Sequence, residues 1–185
     1  MKGVMAKLVD SQQMAFIKAR QIMNAVLIAK ETVDSRQKQK KPGILCKLDM
    51  EKAYDHVNWE YLLNTLERMG FGRKWIQWIK QCISTVRFSV LINGSPTGFL
   101  SAQRGLRQGD PLSPFLFSIF MEGLNSMIKT AKLRGWLSGF EVGRNGDNSM
   151  EVTHLQYADD TLILCDAEEG QLKILRVILV LFEGF

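Results

Sequence analysis

The stretch Leu155-Gln156-Tyr157-Ala158-Asp159-Asp160-Thr161-Leu162-Ile163-Leu164 sets two adjacent carboxylates inside an apolar run. Adjacent acids repel, and apolar flanks raise the cost of keeping them charged. Two arrangements account for them: a surface turn, where Asp is common, or a metal site, where cations offset the repulsion. A strand, a tight turn and a second strand would project both acids from a hairpin tip.

A third carboxylate belongs to a similar setting far upstream. Ile44-Leu45-Cys46-Lys47-Leu48-Asp49-Met50 is short, apolar and bounded by Pro42-Gly43, so it reads as a buried strand with Asp49 at its end. If this strand pairs with or neighbours the hairpin, three carboxylates converge. Such a cluster needs cations, and its oxygen ligands suit Mg²⁺ or Mn²⁺ rather than zinc. Two such ions about 3.5–4 Å apart activate an attacking hydroxyl and stabilise the leaving oxygen of an in-line phosphoryl displacement.

The rest of the chain divides into mixed elements. Residues from about Ser11 to Val33 read as a helix or a pair of helices, with Ile22, Val26, Ala29 and Val33 at helical spacing, followed by a basic loop over 36–43. A helix over 58–69 has Asn58 as its N-cap, Trp59, Leu62, Leu63, Leu66 and Met69 on one face, and Gly70 as its stop. A second helix carries Trp75, Ile76, Ile79 and Ile83. Val86, Phe88, Val90 and Ile92 alternate as a half-buried strand would, Asn93-Gly94 marks the turn, and Phe99-Leu100 begins the return. After the punctuated loop 103–114, Ser113-Pro114 opens a helix to about Lys129, apolar nearly all round and therefore buried. Gly143 to Ser149 is a polar turn, and the chain is helical and apolar from Gln171. Strands and helices without a regular βαβα rhythm indicate an α+β fold, and no repeat or interdomain linker interrupts it.

Composition narrows the function classes. The 185 residues are 46% hydrophobic and 23% charged, which suits one domain with a sizeable core. A net charge of +5 tilts toward an acidic partner such as nucleic acid. Cys46, Cys82 and Cys165 are scattered, which argues against a zinc site or disulfide framework and for reduced thiols in an intracellular protein. No signal-peptide pattern opens the chain, and the most apolar segment, 174–182, is too short to span a membrane. The expectation is an intracellular protein of nucleus or cytoplasm, neither secreted nor membrane-bound. Lys18, Arg20, Lys38, Lys40, Lys41, Arg104 and Arg107 could line a path for phosphates, although each lysine alone is an ordinary solvated charge. The loop 103–110 adds two glycines for close backbone approach, with arginine and glutamine donors.

Taken in order, these segments resemble reverse transcriptase, and within it the non-LTR (LINE-type) retrotransposon polymerases abundant in plant genomes. Lys-Leu-Asp-Met-Glu-Lys-Ala-Tyr-Asp-His-Val-Asn-Trp at 47–59 resembles the first catalytic motif of that family. Gly-Leu-Arg-Gln-Gly-Asp-Pro-Leu-Ser-Pro at 105–114 resembles its template- and nucleotide-contacting motif. Tyr-Ala-Asp-Asp at 157–160 is similar to its metal-binding hairpin, and Ala-Phe-Ile-Lys-Ala-Arg-Gln at 15–21 to a segment preceding the first motif. The resemblance implies that Asp49 and Asp159 ligate both Mg²⁺ ions (Mn²⁺ as a substitute), with Asp160 assisting and the Met50 carbonyl completing one site. It implies that Tyr54, which alone would read as a core aromatic, lies under the incoming sugar and selects deoxynucleotides. Gln108 and Gly109 would touch nucleotide and template, and Arg107 a phosphate. The implied fold is the palm of a right-hand polymerase with part of the fingers, an antiparallel sheet packed on helices. About 1–43 would be partial fingers and a connecting segment, and about 44–185 palm interrupted by the remaining fingers elements. The implied activity is RNA-directed DNA polymerisation, with RNA template, DNA primer, deoxynucleoside triphosphates and the missing parts of a parent polyprotein as partners.

Departures from the family pattern carry expectations too. Ala19 stands where the family has glycine, so a positive φ there would strain the backbone. The upstream fingers motif is absent and the sequence stops before the family's next motif, so the chain is expected to be truncated at both ends. The alternative function is therefore a catalytically inactive retroelement remnant that at most binds nucleic acid. A small Mg²⁺-dependent phosphohydrolase rests on the carboxylates alone.

Overall fold

A computed structural model describes residues 3–142 and 150–184. In chain order the elements are α1 (Met5–Leu8), α2 (Ile22–Lys38), β1 (Gly43–Leu48), α3 (Trp59–Arg68), α4 (Arg73–Ser84), β2 (Arg87–Ile92), β3 (Ser95–Ser101), α5 (Ser113–Leu133), β4 (Phe140–Val142), β5 (Met150–Val152), β6 (His154–Tyr157), β7 (Asp160–Asp166) and α6 (Glu169–Glu183). The polar turn expected over 143–149 lies outside the described residues. Two compact units divide the chain: residues 3–51 with 121–184, and residues 52–120.

The first unit is built on a three-stranded antiparallel sheet in the order β1-β7-β6. The register runs from Gly43↔Asp166 to Leu48↔Thr161 on one side of β7 and from His154↔Ile163 to Tyr157↔Asp160 on the other. One sheet face presents Leu155, Leu162 and Leu164 to Phe140 and Val152 of the β4–β5 pair and to Ile28, Ala29 and Val33 of α2. Opposite it, His154, Ile163 and Cys165 are buried, and His154 Nε2 lies 2.8 Å from Asn125 Oδ1 on α5. β1 and β6 are the two edge strands: β6 is buried at His154, Leu155 and Gln156 and is bridged at Gln156 by Gln13, whereas β1 alternates between exposed and half-buried residues and is less buried than its apolar composition predicts.

Helix α2 begins only at Ile22, and residues 11–20 form turns. Phe16 (φ +61°) and Ala19 (φ +67°) are left-handed in this stretch, which a helix cannot contain. Nor is Arg36 in a basic loop. It lies in the last turn of α2, 8% exposed, donating to the Pro42 carbonyl and pairing with Asp166, with its guanidinium 4.8 Å from the Phe140 ring. Helix α6 presents Leu175, Ile178 and Phe182 inward, while Val177, Val180 and Leu181 stay more than half exposed. That excess of apolar surface follows from a helix hydrophobic on more than one face.

Ala19 bears out the strain expected of it. A Cβ in the left-handed region costs about 1–2 kcal/mol, partly offset by the lower unfolded-state entropy of alanine relative to glycine. Ala19→Gly is therefore expected to stabilise the protein by about 0.5–1 kcal/mol. Urea denaturation measures this, and an unchanged or lowered midpoint would reject the strain argument.

In the second unit α3 and α4 pack together, burying Leu62, Leu66, Ile79 and Ile83. Asn58 caps α3 as expected, its side-chain oxygen accepting from Tyr61 N at 3.1 Å, and Gly70 supplies the positive φ that ends it. The β2–β3 hairpin turns at Asn93-Gly94. Its strands, however, are exposed along nearly their whole length, Phe99 to 79%. Alternation in β2 fixed the pleat but not the degree of cover. Among the described residues no helix is long and apolar enough to cross a membrane.

Candidate active site

The β6–β7 turn delivers the acidic pair to a hairpin tip. Tyr157 pairs with Asp160, leaving Ala158 and Asp159 as the two turn residues. Ala158 takes φ +56°, a conformation in which this class of tight turn ordinarily uses glycine. Asp160 is already the first residue of β7. β1 ends at Leu48 opposite Thr161, so Asp49 follows onto the same end of the sheet and falls in line with Asp160. The strands are thus neighbours, as the expected convergence of carboxylates required. Among the described residues, however, no three His, Cys, Asp or Glu side chains gather closely enough to hold an ion.

Electrostatics at this corner draws in a cation from the chain itself. Lys47 lies on the same sheet face as Asp49 and Asp160, two residues before the first. Its Nζ lies 3.0 Å from Asp160 Oδ1. That hydrogen bond and charge hold the ammonium above the usual lysine range, and Asp49 adds to the effect. Asp49 and Asp160 are exposed and Asp159 half-buried. Carboxylate oxygens are hard donors, so the residue types at this sheet end are of the kind Mg²⁺ or Mn²⁺ takes.

Around the tip, the 9–20 turns are tied to the sheet. Met14 N donates to Gln156 O and Gln156 N to Gln12 O, both at 2.9 Å. Arg20 was expected at a phosphate. Its guanidinium is instead turned inward onto the carbonyls of Val9, Asp10 and Gln13. Carbonyls in turns lie outside the regular helix and sheet ladders, and side-chain donors such as this one satisfy them. Lys18 remains exposed.

The second unit gathers the other expected residues. Leu106 N donates to Tyr54 O at 2.7 Å and Gly105 N to Val57 O at 2.8 Å, so the turn carrying Tyr54 is zipped to the loop carrying Gln108 and Gly109. Gly105 has φ +89°, and a Cβ there would lie 2.7 Å from the Asp55 carbonyl oxygen, so this approach admits only glycine. Trp59 Nε1 closes the arrangement by donating to Gly105 O at 2.7 Å. The Tyr54 ring is half-buried and stacks on Phe117 at 4.6 Å. Gln108, Gly109, Arg104 and Arg107 are exposed. A cleft of about 580 Å³ is lined by Phe88, Arg104, Arg107, Gln108, Asp55 and Asp110 among others.

Two neighbours of the carboxylates escaped the sequence reading. Lys47 interrupts an apolar strand, a visible anomaly whose partner is 113 residues away. Gln13 carries no periodic or motif signal at all.

The model of the family described as reverse transcriptase (RNA-dependent DNA polymerase) matches residues 1–183. The chain is 30% identical over 175 residues to the transposon TX1 uncharacterized 149 kDa protein of Xenopus laevis, covering 92% of this chain and 13% of that protein. It is 31% identical over 167 residues to a retrovirus-related Pol polyprotein from the type-1 retrotransposable element R2 of Nasonia vitripennis, covering 88% of this chain and 15% of the polyprotein. The chain therefore spans only a small part of these relatives. Among solved structures, telomerase from Candida albicans in complex with a fragment of telomeric RNA shares the fold, with TM-score 0.64, 14% identity, and coverage of 97% of this chain and 30% of that one. The α+β architecture is that of a right-hand polymerase palm, and the chain belongs to the reverse transcriptase family, with relatives among the non-LTR retrotransposons.

Proposed function

We propose that this chain is the catalytic part of an RNA-directed DNA polymerase, joining deoxynucleotides to a primer 3′-hydroxyl on an RNA template. The observation that carries this reading is the shared sheet end of Asp49, Asp159 and Asp160, in a chain of this family. Asp49 and Asp159 would hold two Mg²⁺ ions, Asp160 would assist, and the Met50 carbonyl would complete one site. Bound there, the ions supply Lewis-acid stabilisation of the attacking and leaving oxygens. Lys47 shields Asp160 until a stronger cation competes for it. Tyr54, braced from behind by Phe117, offers a flat ring against the 2′-carbon of an incoming sugar. Gln108 and Gly109 line the nucleotide and template, where an exposed glycine with φ +84° admits close backbone approach. Residues of about 1–43 would be partial fingers and a connecting segment, about 44–185 palm interrupted by the remaining fingers elements, and other segments of a polyprotein would help grip the primer. Primer extension on an RNA template, run with deoxy- and ribonucleotides and repeated with Tyr54→Val, tests the reaction and its sugar preference together. No extension by the chain or by a longer polyprotein containing it would reject the reading and leave a nucleic-acid-binding remnant.

Charge distribution supports nucleic acid as the partner. Between Glu67 and Asp110 there is no acidic residue, while Arg68, Arg73, Lys74, Lys80, Arg87, Arg104 and Arg107 are basic. This stretch thus carries more positive charge than the whole chain, whose net is +5. Phosphates neutralised here release counterions. Arg104→Ala with Arg107→Ala is expected to lower the log–log salt slope of primer–template binding by about 1.4–1.8. Fluorescence anisotropy across a salt series reads the slope, and an unaltered value would return both arginines to ordinary solvated surface.

A further inference from the structure

We infer that Gln13 is a positioning residue for the Asp159 carboxylate, a role that rests on reading Asp159 as a metal ligand. Gln13 is fully buried. Its Oε1 accepts from Ala15 N at 3.0 Å and from Ala158 N at 3.1 Å. Ala158 is the turn residue immediately before Asp159, and it is held at a positive φ without being glycine. A strained turn keeps its shape only when its surroundings over-determine it. The Gln13 amide oxygen is the side-chain acceptor for the N–H at that point.

Gln13 is itself pinned at both ends. Its backbone makes a parallel bridge to Gln156 on β6, and its carbonyl accepts from Arg20 Nη1. The turn stretch 9–20 thereby acts on the hairpin across 145 residues of sequence. Arg20 fixes Gln13, Gln13 fixes Ala158, and Ala158 sets the direction in which Asp159 leaves the tip.

Polarity at this layer is otherwise hard to explain. Leu48, Thr161, Gln156 and Gln13 form one cross-strand row, and the last three are no more than 1% exposed. Buried amides and hydroxyls cost stability unless fully bonded. Gln13 Nε2, both polar atoms of the Gln156 side chain and Thr161 Oγ1 have no protein partner among the described atoms. A core selected for stability alone would place apolar side chains there. Supporting groups behind a metal ligand, by contrast, are polar because they must orient it.

The test uses the chain with Mn²⁺ as probe. Gln13→Met keeps the volume and removes the acceptor, while Gln13→Glu keeps the acceptor. Mn²⁺ affinity by spin resonance and amide exchange of Ala158 by nuclear magnetic resonance are measured on each, with a cooperative melt as the check on folding. Gln13→Met is expected to weaken Mn²⁺ binding by about tenfold and to speed Ala158 exchange at least as much. Gln13→Glu is expected to restore slow exchange. Introducing Ala158→Gly alongside Gln13→Met should recover part of the lost affinity, since glycine holds the positive φ unaided, and a merely structural Gln13 would show no such coupling. Should Gln13→Met fail to fold, Gln13→Asn withdraws the acceptor by one methylene in a polar side chain. A folded variant with fast Ala158 exchange and wild-type Mn²⁺ affinity overturns the inference. If the wild type itself binds no Mn²⁺, the metal reading falls and the role toward Asp159 with it, while Ala158 exchange still decides whether Gln13 holds the tip.

Discussion

Asp159→Asn is expected to cut Mn²⁺ affinity at least tenfold and RNA-templated primer extension on the order of a thousandfold, with the fold intact. The substitution removes one charge at nearly constant volume. Asn is well tolerated in turns, and Asp159 carries no ion pair among those found in the described structure, so little native stability is at stake. On the proposed reading, what disappears is a ligand to cations that would stabilise the transition state by several kcal/mol, and about 1.4 kcal/mol is tenfold in rate. Asp49→Asn should behave alike, because its place at the end of β1 matches the hairpin tip across the sheet. Asp160→Asn should cost less, since Asp160 already shares its charge with Lys47 at 3.0 Å. The graded order is the informative part. Equal Mn²⁺ affinities in wild type and Asp159→Asn would falsify the metal assignment, and a larger loss at Asp160 than at Asp159 would reverse the roles given to the pair.

Local signals in the sequence located most of what surrounds these acids. The apolar run Leu162-Ile163-Leu164-Cys165 after Asp160 encodes the central strand β7, because burial on both faces requires continuous hydrophobicity, and Asn58 encodes a helix start because its side chain can satisfy an orphan N–H. The stretch 11–20 carries buried apolar residues, Met14, Ala15 and Ile17, as a helix face would, but it is held by bonds such as Met14 N to Gln156 O and not by a helix. Left-handed Phe16 and Ala19 leave no mark that distinguishes them from helical residues. Arg20 and Arg36 read as free cations because nothing local reveals a carbonyl cage or an aspartate 130 residues away. The β2–β3 pair illustrates the converse. Alternation in β2 and the Asn-Gly turn fix hydrogen-bond geometry within a few residues, whereas cover depends on what else reaches that face.

A second large effect should appear with acid. His154 is 1% exposed, and burial, the dominant cause, pushes its imidazole down to about 4 from the ordinary 6.5. The neutral ring fits its neighbours: Thr153 Oγ1 lies 3.1 Å from Nδ1, and Nε2 lies 2.8 Å from Asn125 Oδ1, whose Nδ2 donates to Glu122 Oε2 at 2.9 Å. With the Asn125 amide committed in that direction, Nε2 carries the proton and Nδ1 accepts from the threonine. Other charges facing the ring are Asp10, which favours the protonated form, and Lys129 and Lys132, which oppose it. Between pH 6.5 and 4 the unfolded chain binds a proton at this histidine that the folded chain refuses. Stability contributed by the neutral ring is therefore complete above about 6.5 and is lost as pH falls toward 4, by about 3 kcal/mol in all. Glu122 acts in the opposite sense, because burial raises its carboxyl, so folded protein gains from its protonation as pH falls through that raised value. Comparison with His154→Gln removes this offset, since glutamine can donate to Asn125 without titrating. The difference in urea-denaturation free energy between wild type and His154→Gln should shift by about 3 kcal/mol between pH 7 and pH 4, wild type losing more. A difference that stays constant over that range would mean that His154 titrates alike in the folded and unfolded chains, and that the Thr153–His154–Asn125–Glu122 chain does not enforce a neutral ring.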